Sequence, residues 1–152
     1  MKREASEITN PSVQIDTRIP EQNAGEEYFI GVISGATRRK RILSVETFDI
    51  MVTNQRLIFA FVPASGGYAL RQKHRNMSVQ SILSENSHNF AIGLNHIKSI
   101  QLTAGRSYND CCQKRQEEDG SLEIDAGNKH LFSLPPLNAL RAKEVLKNAG
   151  LI

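Results

Sequence analysis

The sequence predicts a mainly β fold. The expected architecture is a seven-stranded antiparallel barrel closed by a C-terminal α-helix, with a short helix inserted at about residues 78–86. Three observations lead there. Short runs rich in β-branched and aromatic residues recur along the chain, several with apolar side chains at every second position. Turn residues separate the runs. Only the last long segment carries an apolar stripe at helical spacing. Seven short strands are better closed on themselves than left with long open edges.

Residues 1–24 read as a polar mobile tail or strap. They contain Pro11 and Pro20, and Ile8, Val13, Ile15 and Ile19 are isolated among polar residues. Residues 25–152 form the predicted domain. Tyr28 to Ile33 reads as a strand that stops at Ser34-Gly35. Ile42 to Val52 ends in clean alternation, with Phe48, Ile50 and Val52 on one side. A turn at 53–55 leads into Leu57 to Val62, which is apolar on both faces, so these two runs make an antiparallel hairpin. The helix at about 78–86 has Ser78 as its N-cap candidate. Strands follow at Asn89–Leu94 and Ile97–Thr103, with a phase slip that fits a bulge or a change of face. Residues 104–119 read as a long exposed loop, with Glu117 to Asp119 at a solvated tip. Leu122 to Asp125 and Lys129 to Leu134 pair across the turn Ala126-Gly127-Asn128. The closing helix 136–149 opens at Pro136 and stops at Gly150, with Ala139, Ala142, Val145, Leu146 and Ala149 on its apolar face.

Composition narrows the class. A chain of 152 residues fits one domain. No run approaches the roughly 20 apolar residues of a membrane-spanning helix. No apolar segment follows Met1-Lys2-Arg3-Glu4, so a secretory signal is not expected. The 2 cysteines, Cys111 and Cys112, are adjacent, which gives no disulfide framework. The expectation is a reduced, cytoplasmic protein that can sit peripherally at the inner membrane face.

The formal net charge of +3 is unevenly spread. Residues 38–75 carry Arg38, Arg39, Lys40, Arg41, Arg56, Arg71, Lys73 and Arg75 against only Glu46 and Asp49. The start is acidic and the remainder neutral. These eight residues are the candidates for an anion- or membrane-binding face, because a local positive field attracts and steers anions. Arg offers phosphate a planar fork of donors. The competing reading of Arg38 to Arg41 is a solvated hairpin end. For Arg56 it is a cross-strand pair with Asp49.

Other chemistry finds little support. His74, His88, His96 and His130 show no paired ligand spacing, so no metal is expected. No phosphate-cradling glycine loop, nucleophile elbow or zinc-protease motif occurs. No catalytic residue is assigned, and neither an enzyme nor a cofactor is expected. Nucleic acid is not expected as a partner, because Trp is absent and aromatics make up only 6% of the chain.

The element order, together with Val52-Thr53-Asn54-Gln55-Arg56-Leu57-Ile58-Phe59, resembles the prokaryotic pleckstrin-homology-like and GRAM-like domains. Asn89-Phe90-Ala91-Ile92 followed by Ile97-Lys98-Ser99-Ile100 resembles a later strand pair of the same family. The resemblance covers about residues 25–151. It implies a binding scaffold rather than a catalyst, with a protein or peptide as partner through a sheet edge or the groove beside the terminal helix. It also implies an alternative, in which an anionic lipid headgroup or phosphate ligand is held by the basic 38–41 loop and its neighbours. The family pattern also has a basic residue late in the first strand, and Tyr28 to Ile33 supplies none. Self-association is compatible with either reading.

Overall fold

The computed structural model describes residues 25–65 and 67–152. The tail expected at 1–24 lies outside the described residues. Among the described residues nine strands and three α-helices follow one another: β1 (Phe29–Arg41), β2 (Ser44–Thr53), β3 (Arg56–Phe61), α1 (Gly67–His74), α2 (Val79–Glu85), β4 (Phe90–Gly93), β5 (Ser99–Thr103), β6 (Arg106–Asn109), β7 (Arg115–Glu118), β8 (Gly120–Asp125), β9 (Lys129–Leu134) and α3 (Pro136–Asn148). The mainly β reading and the C-terminal helix hold.

Seven strands form one antiparallel sheet in the order β4-β3-β2-β1-β9-β8-β5. These are the seven strands read from the sequence. The pairing is not closed: β4 and β5 are the two edges, so a barrel of continuously hydrogen-bonded strands is not observed. A 3-10 turn at Leu94–His96 carries the chain from one edge to the other. That crossing is what the phase slip after Leu94 reflects.

Three further expectations are corrected. The first strand does not stop at Ser34-Gly35 but runs on to Arg41. Gly35 adopts φ +69° inside a register shift between Ile33 and Ala36, so it makes a bulge rather than a turn. Residues 104–119 are not a loop: β6 and β7 form a two-stranded hairpin, and Glu117 and Glu118 lie in its second strand. The tip of that hairpin is instead the Cys111–Gln113 turn, with both cysteines free and exposed. Finally, α1 is a helix that the alternation pattern does not mark.

The register separates two sheet faces. The inner face carries the row Ile33–Ile50–Phe59–Phe90 and the pair Ala36–Phe48, all in one core with Leu122, Phe132 and Leu134. α3 presses Ala139, Ala142 and Leu146 onto this core. Gly31 makes that approach feasible, since a Cβ there would lie 3.0 Å from the Val145 methyls. The outer face carries the row Val32–Met51–Ile58–Ala91. α2 covers part of it, and Ile58, Ala60 and Ile82 form a second small core. As expected, Ser78 caps α2, its Oγ accepting from the Ser81 N–H at 3.2 Å.

Candidate functional site

Three places in this fold gather polar and apolar chemistry. The first is the inner end of the sheet beneath the β1–β2 turn. Arg38 points inward there, its guanidinium carbon 5.1 Å from the Phe48 ring centroid and 5.4 Å from that of Phe90. The faces of those rings are electron-rich and attract the cation. Its Nη2 donates to Glu46 Oε2 at 2.9 Å, and Lys40 Nζ donates to Glu46 Oε1 at 3.1 Å. His88 Nδ1 lies 3.0 Å from the same carboxylate. Burial resists ionisation of Glu46, but the bonds from Arg38 and Lys40 outweigh it and hold the carboxyl below its ordinary range. His130, beside the Phe59 and Phe90 rings, is pushed down by burial and then by the Arg38 charge. Arg38 and Lys40 are thus tied into the fold.

The second place is the β1–β2 tip itself. The strand pairing ends at Arg41 opposite Ser44, so Ile42 and Leu43 form the connection. Ile42 is 88% exposed and Leu43 98% exposed. Two aliphatic side chains so fully in water at a hairpin tip are costly, at roughly 1.5–3 kcal/mol each relative to burial. Arg39, Lys40 and Arg41 flank them and are exposed. Val45, paired with Arg39, is 62% exposed. On the strand beyond, β9, Leu131 is also exposed. The sequence pattern puts both Ile42 and Leu43 inside a strand, whereas they form the connection. The missed signal was the sequence of four basic residues leading straight into two aliphatic ones.

The third place is a groove of about 950 Å³ on the outer face. Val32 and Met51 lie in its floor, α1 supplies Arg71 and His74, α2 supplies Val79, the connection between the two helices supplies Met77, and Tyr28 stands near where the described chain begins. The buried Asp49 accepts from Gly35 N–H at 3.1 Å and from Arg71 Nε at 2.7 Å, which latches α1 to the sheet. His74, whose side chain is 4% exposed, has Nε2 2.8 Å from Glu85 Oε2, a carboxylate that Lys73 also engages. Those bonds from Lys73 and His74 hold Glu85 below its ordinary range. The other ring nitrogen, Nδ1, is buried without a hydrogen-bond partner among the described residues.

The eight basic candidates therefore do not converge on one face. Arg38 and Lys40 meet Glu46, Arg71 meets Asp49, and Lys73 meets Glu85. Arg56 pairs not with Asp49, which faces Ala60, but with Glu27, at 2.7 Å through Nη2 and 2.9 Å through Nε. That fork holds Glu27 low and Arg56 high. Arg75 lines the groove, and Arg39 and Arg41 remain at the tip. Among the described residues no group of three or more His, Cys, Asp or Glu could hold a metal, and no helix is long and apolar enough to cross a membrane.

No family model matches the chain, and no curated protein matches it. Among solved structures, it is similar to the C-terminal domain of an unknown protein from Leishmania infantum, at a TM-score of 0.43 and 8% identity, over 81% of this chain and 84% of that one.

Proposed function

We propose that this chain is a non-enzymatic docking module of the pleckstrin-homology-like kind, which settles on an anionic membrane surface through the β1–β2 tip. The observation that carries the reading is the pairing of exposed Ile42 and Leu43 with Arg39 and Arg41 on one hairpin end. A basic side chain near an anionic bilayer contributes about 1 kcal/mol. An aliphatic one that leaves water for the acyl boundary contributes about 1.5–3 kcal/mol. Their sum, less the cost of association, gives weak, reversible and salt-sensitive binding. The antiparallel strand order and the terminal helix on the core support the family reading.

Co-sedimentation with vesicles tests it. Binding is expected to vesicles rich in phosphatidylserine, to weaken as salt rises, and to be absent from vesicles of phosphatidylcholine alone. Equal recovery with both vesicle types, or with neither at low salt, would sink the reading.

A second reading, a module for a peptide partner, is favoured by the groove. Its apolar floor and half-open wall suit an extended chain.

A further inference from the structure

The outer-face groove neutralises its own charges, with one exception. Its lining carries Glu27, Asp49, Arg56, Arg71 and Arg75. Glu27 accepts both bonds of the Arg56 fork, and Asp49 accepts from Arg71. Arg75, just past the end of α1, is exposed and takes part in no ion pair among the described residues. The groove therefore presents one uncompensated positive charge.

Beside that charge the surface is aliphatic. The register puts Val32, Met51 and Ile58 in one row on the floor. Met77 and Val79 pack over the same row from the helical side. Val32, Met51, Met77 and Val79 are only half-buried. Half-buried aliphatic side chains on both sides of an open groove mark a place where apolar matter can leave water. The two methionines are unbranched and adapt to an occupant that is itself flexible.

The size and the polar inventory narrow the occupant. A volume of about 950 Å³ falls at the upper end of the roughly 300–1,000 Å³ usual for small-ligand sites. Along β1 the lining runs from Phe29 to Ser34, five strand steps or about 17 Å. The backbone of the floor is spent on the β1–β2 and β2–β3 ladders, so it offers an entering peptide no free strand edge. An alkyl chain brings no polar groups that need such partners.

We propose that this groove binds a single-chain anionic amphiphile, a fatty acid, with its chain along Val32, Met51, Met77 and Val79 and its carboxylate at Arg75 beside His74. Arg75 supplies the planar fork of donors that a carboxylate accepts. His74 is 3% exposed, and Glu85 engages its Nε2, so Nδ1 is the ring nitrogen left for the head group. It donates to the carboxylate when the imidazole is charged, and accepts from a head-group hydroxyl or a water when it is neutral. The site is separate from the β1–β2 tip and does not depend on membrane docking there.

The test titrates the full chain with sodium dodecanoate and follows the methyl signals of Met51 and Met77. Both should move along one saturable curve, while Leu122 in the inner core stays in place. Dodecyltrimethylammonium, the same chain under a cationic head, should bind at least about tenfold more weakly. Arg75→Glu should lower the dodecanoate affinity by a similar factor, and Arg75→Lys should keep most of it. Both variants should fold, since Arg75 is exposed and leaves no described carboxylate unpaired. Ile42→Ser/Leu43→Ser should leave the curve unchanged. Dodecanoate that moves neither methionine overturns the proposal. So does equal affinity for the two head groups, or an affinity indifferent to Arg75→Glu. A curve weakened by the two serines would place the amphiphile at the tip, and methionine shifts given by an amidated apolar peptide but not by dodecanoate would give the groove to a peptide. Either result overturns the proposal equally.

Discussion

Arg38 reaches Glu46 from a seat over the Phe48 ring, with Nη2 2.9 Å from Oε2 and the guanidinium carbon 5.1 Å from the ring centroid. The two residues are also register partners across β1 and β2. One cation therefore closes the aromatic end of the core and neutralises a buried carboxylate. Removing it should leave Glu46 with only Lys40 and His88 for company. Arg38→Ala is expected to cost about 2–3 kcal/mol, read as a lower urea midpoint at unchanged slope. Arg38→Lys should recover less than half of that, because an ammonium cannot both lie flat on the ring and donate sideways. A midpoint unmoved by Arg38→Ala would show that the pair is incidental.

Acid should weaken the fold in two stages. His130 is held below its ordinary 6.5 by burial and by Arg38, so it stays neutral in the folded protein where the unfolded chain takes up a proton. The stability this gives is present above about pH 6.5 and is lost as pH falls through the folded value. Glu27, Glu46 and Glu85 are held below their ordinary 4.5, so their contribution is present above pH 4.5 and lost below it. Urea midpoints between pH 8 and pH 3 should fall in both windows. His130→Gln should flatten the upper one. A wild-type midpoint constant from pH 8 to pH 5 would contradict the first stage.

Gly120 and Gly127 should respond very differently to alanine. A Cβ at Gly120 would meet the Thr103 carbonyl and lie 2.8 Å from Gly105 N, backbone that has nowhere to go. At Gly127, in the β8–β9 turn at φ +96°, nothing lies within 4 Å and only the backbone conformation is strained. Gly120→Ala is expected to cost about 2–4 kcal/mol and Gly127→Ala about 1–2 kcal/mol, by the same urea measurement. Equal costs would mean that the β5–β8 strand ends are looser than described.

What the sequence shows and what it hides follow one physical rule. A strand is legible when at least one of its faces is buried, because burial then imposes an apolar period of two or, as in β3, a continuous apolar run. Phe48, Ile50 and Val52 announce β2 for that reason. β6 and β7 are exposed on both faces throughout, so Arg106–Asn109 and Arg115–Glu118 carry no alternation to read. α1 has no apolar stripe and is held by long-range bonds, Arg71 to Asp49 and His74 to Glu85. Gly35 suits a turn and a bulge equally, and tertiary pairing chooses the bulge. The basic residues of 38–75 were visible one by one. Their carboxylate partners, remote for Arg56 and Arg71, were not. Ile42 and Leu43 look like core in a linear reading, and only their position at the tip reveals them as surface.

Charge reversal at the tip separates docking from folding. Arg39 and Arg41 lie on the exposed end of β1, where a surface substitution moves stability by about 0.5 kcal/mol or less. Arg39→Glu/Arg41→Glu should therefore leave the urea midpoint nearly unchanged. It should lower the affinity for phosphatidylserine vesicles at least tenfold at low salt, since two attractive contributions become repulsive. Affinity unaltered by the double reversal would remove these two residues from the docking surface.

The most direct measurement is the vesicle affinity of the double variant Ile42→Ser/Leu43→Ser, at fixed salt and lipid composition. Neither side chain has core contacts to lose, so the variant should fold with a midpoint equal to or above that of the wild type. If the tip enters the bilayer boundary, its affinity for phosphatidylserine vesicles falls at least tenfold, and the residual binding vanishes at high salt. If the variant binds as tightly as the wild type, the exposed pair plays no part and the membrane reading of the β1–β2 tip is wrong.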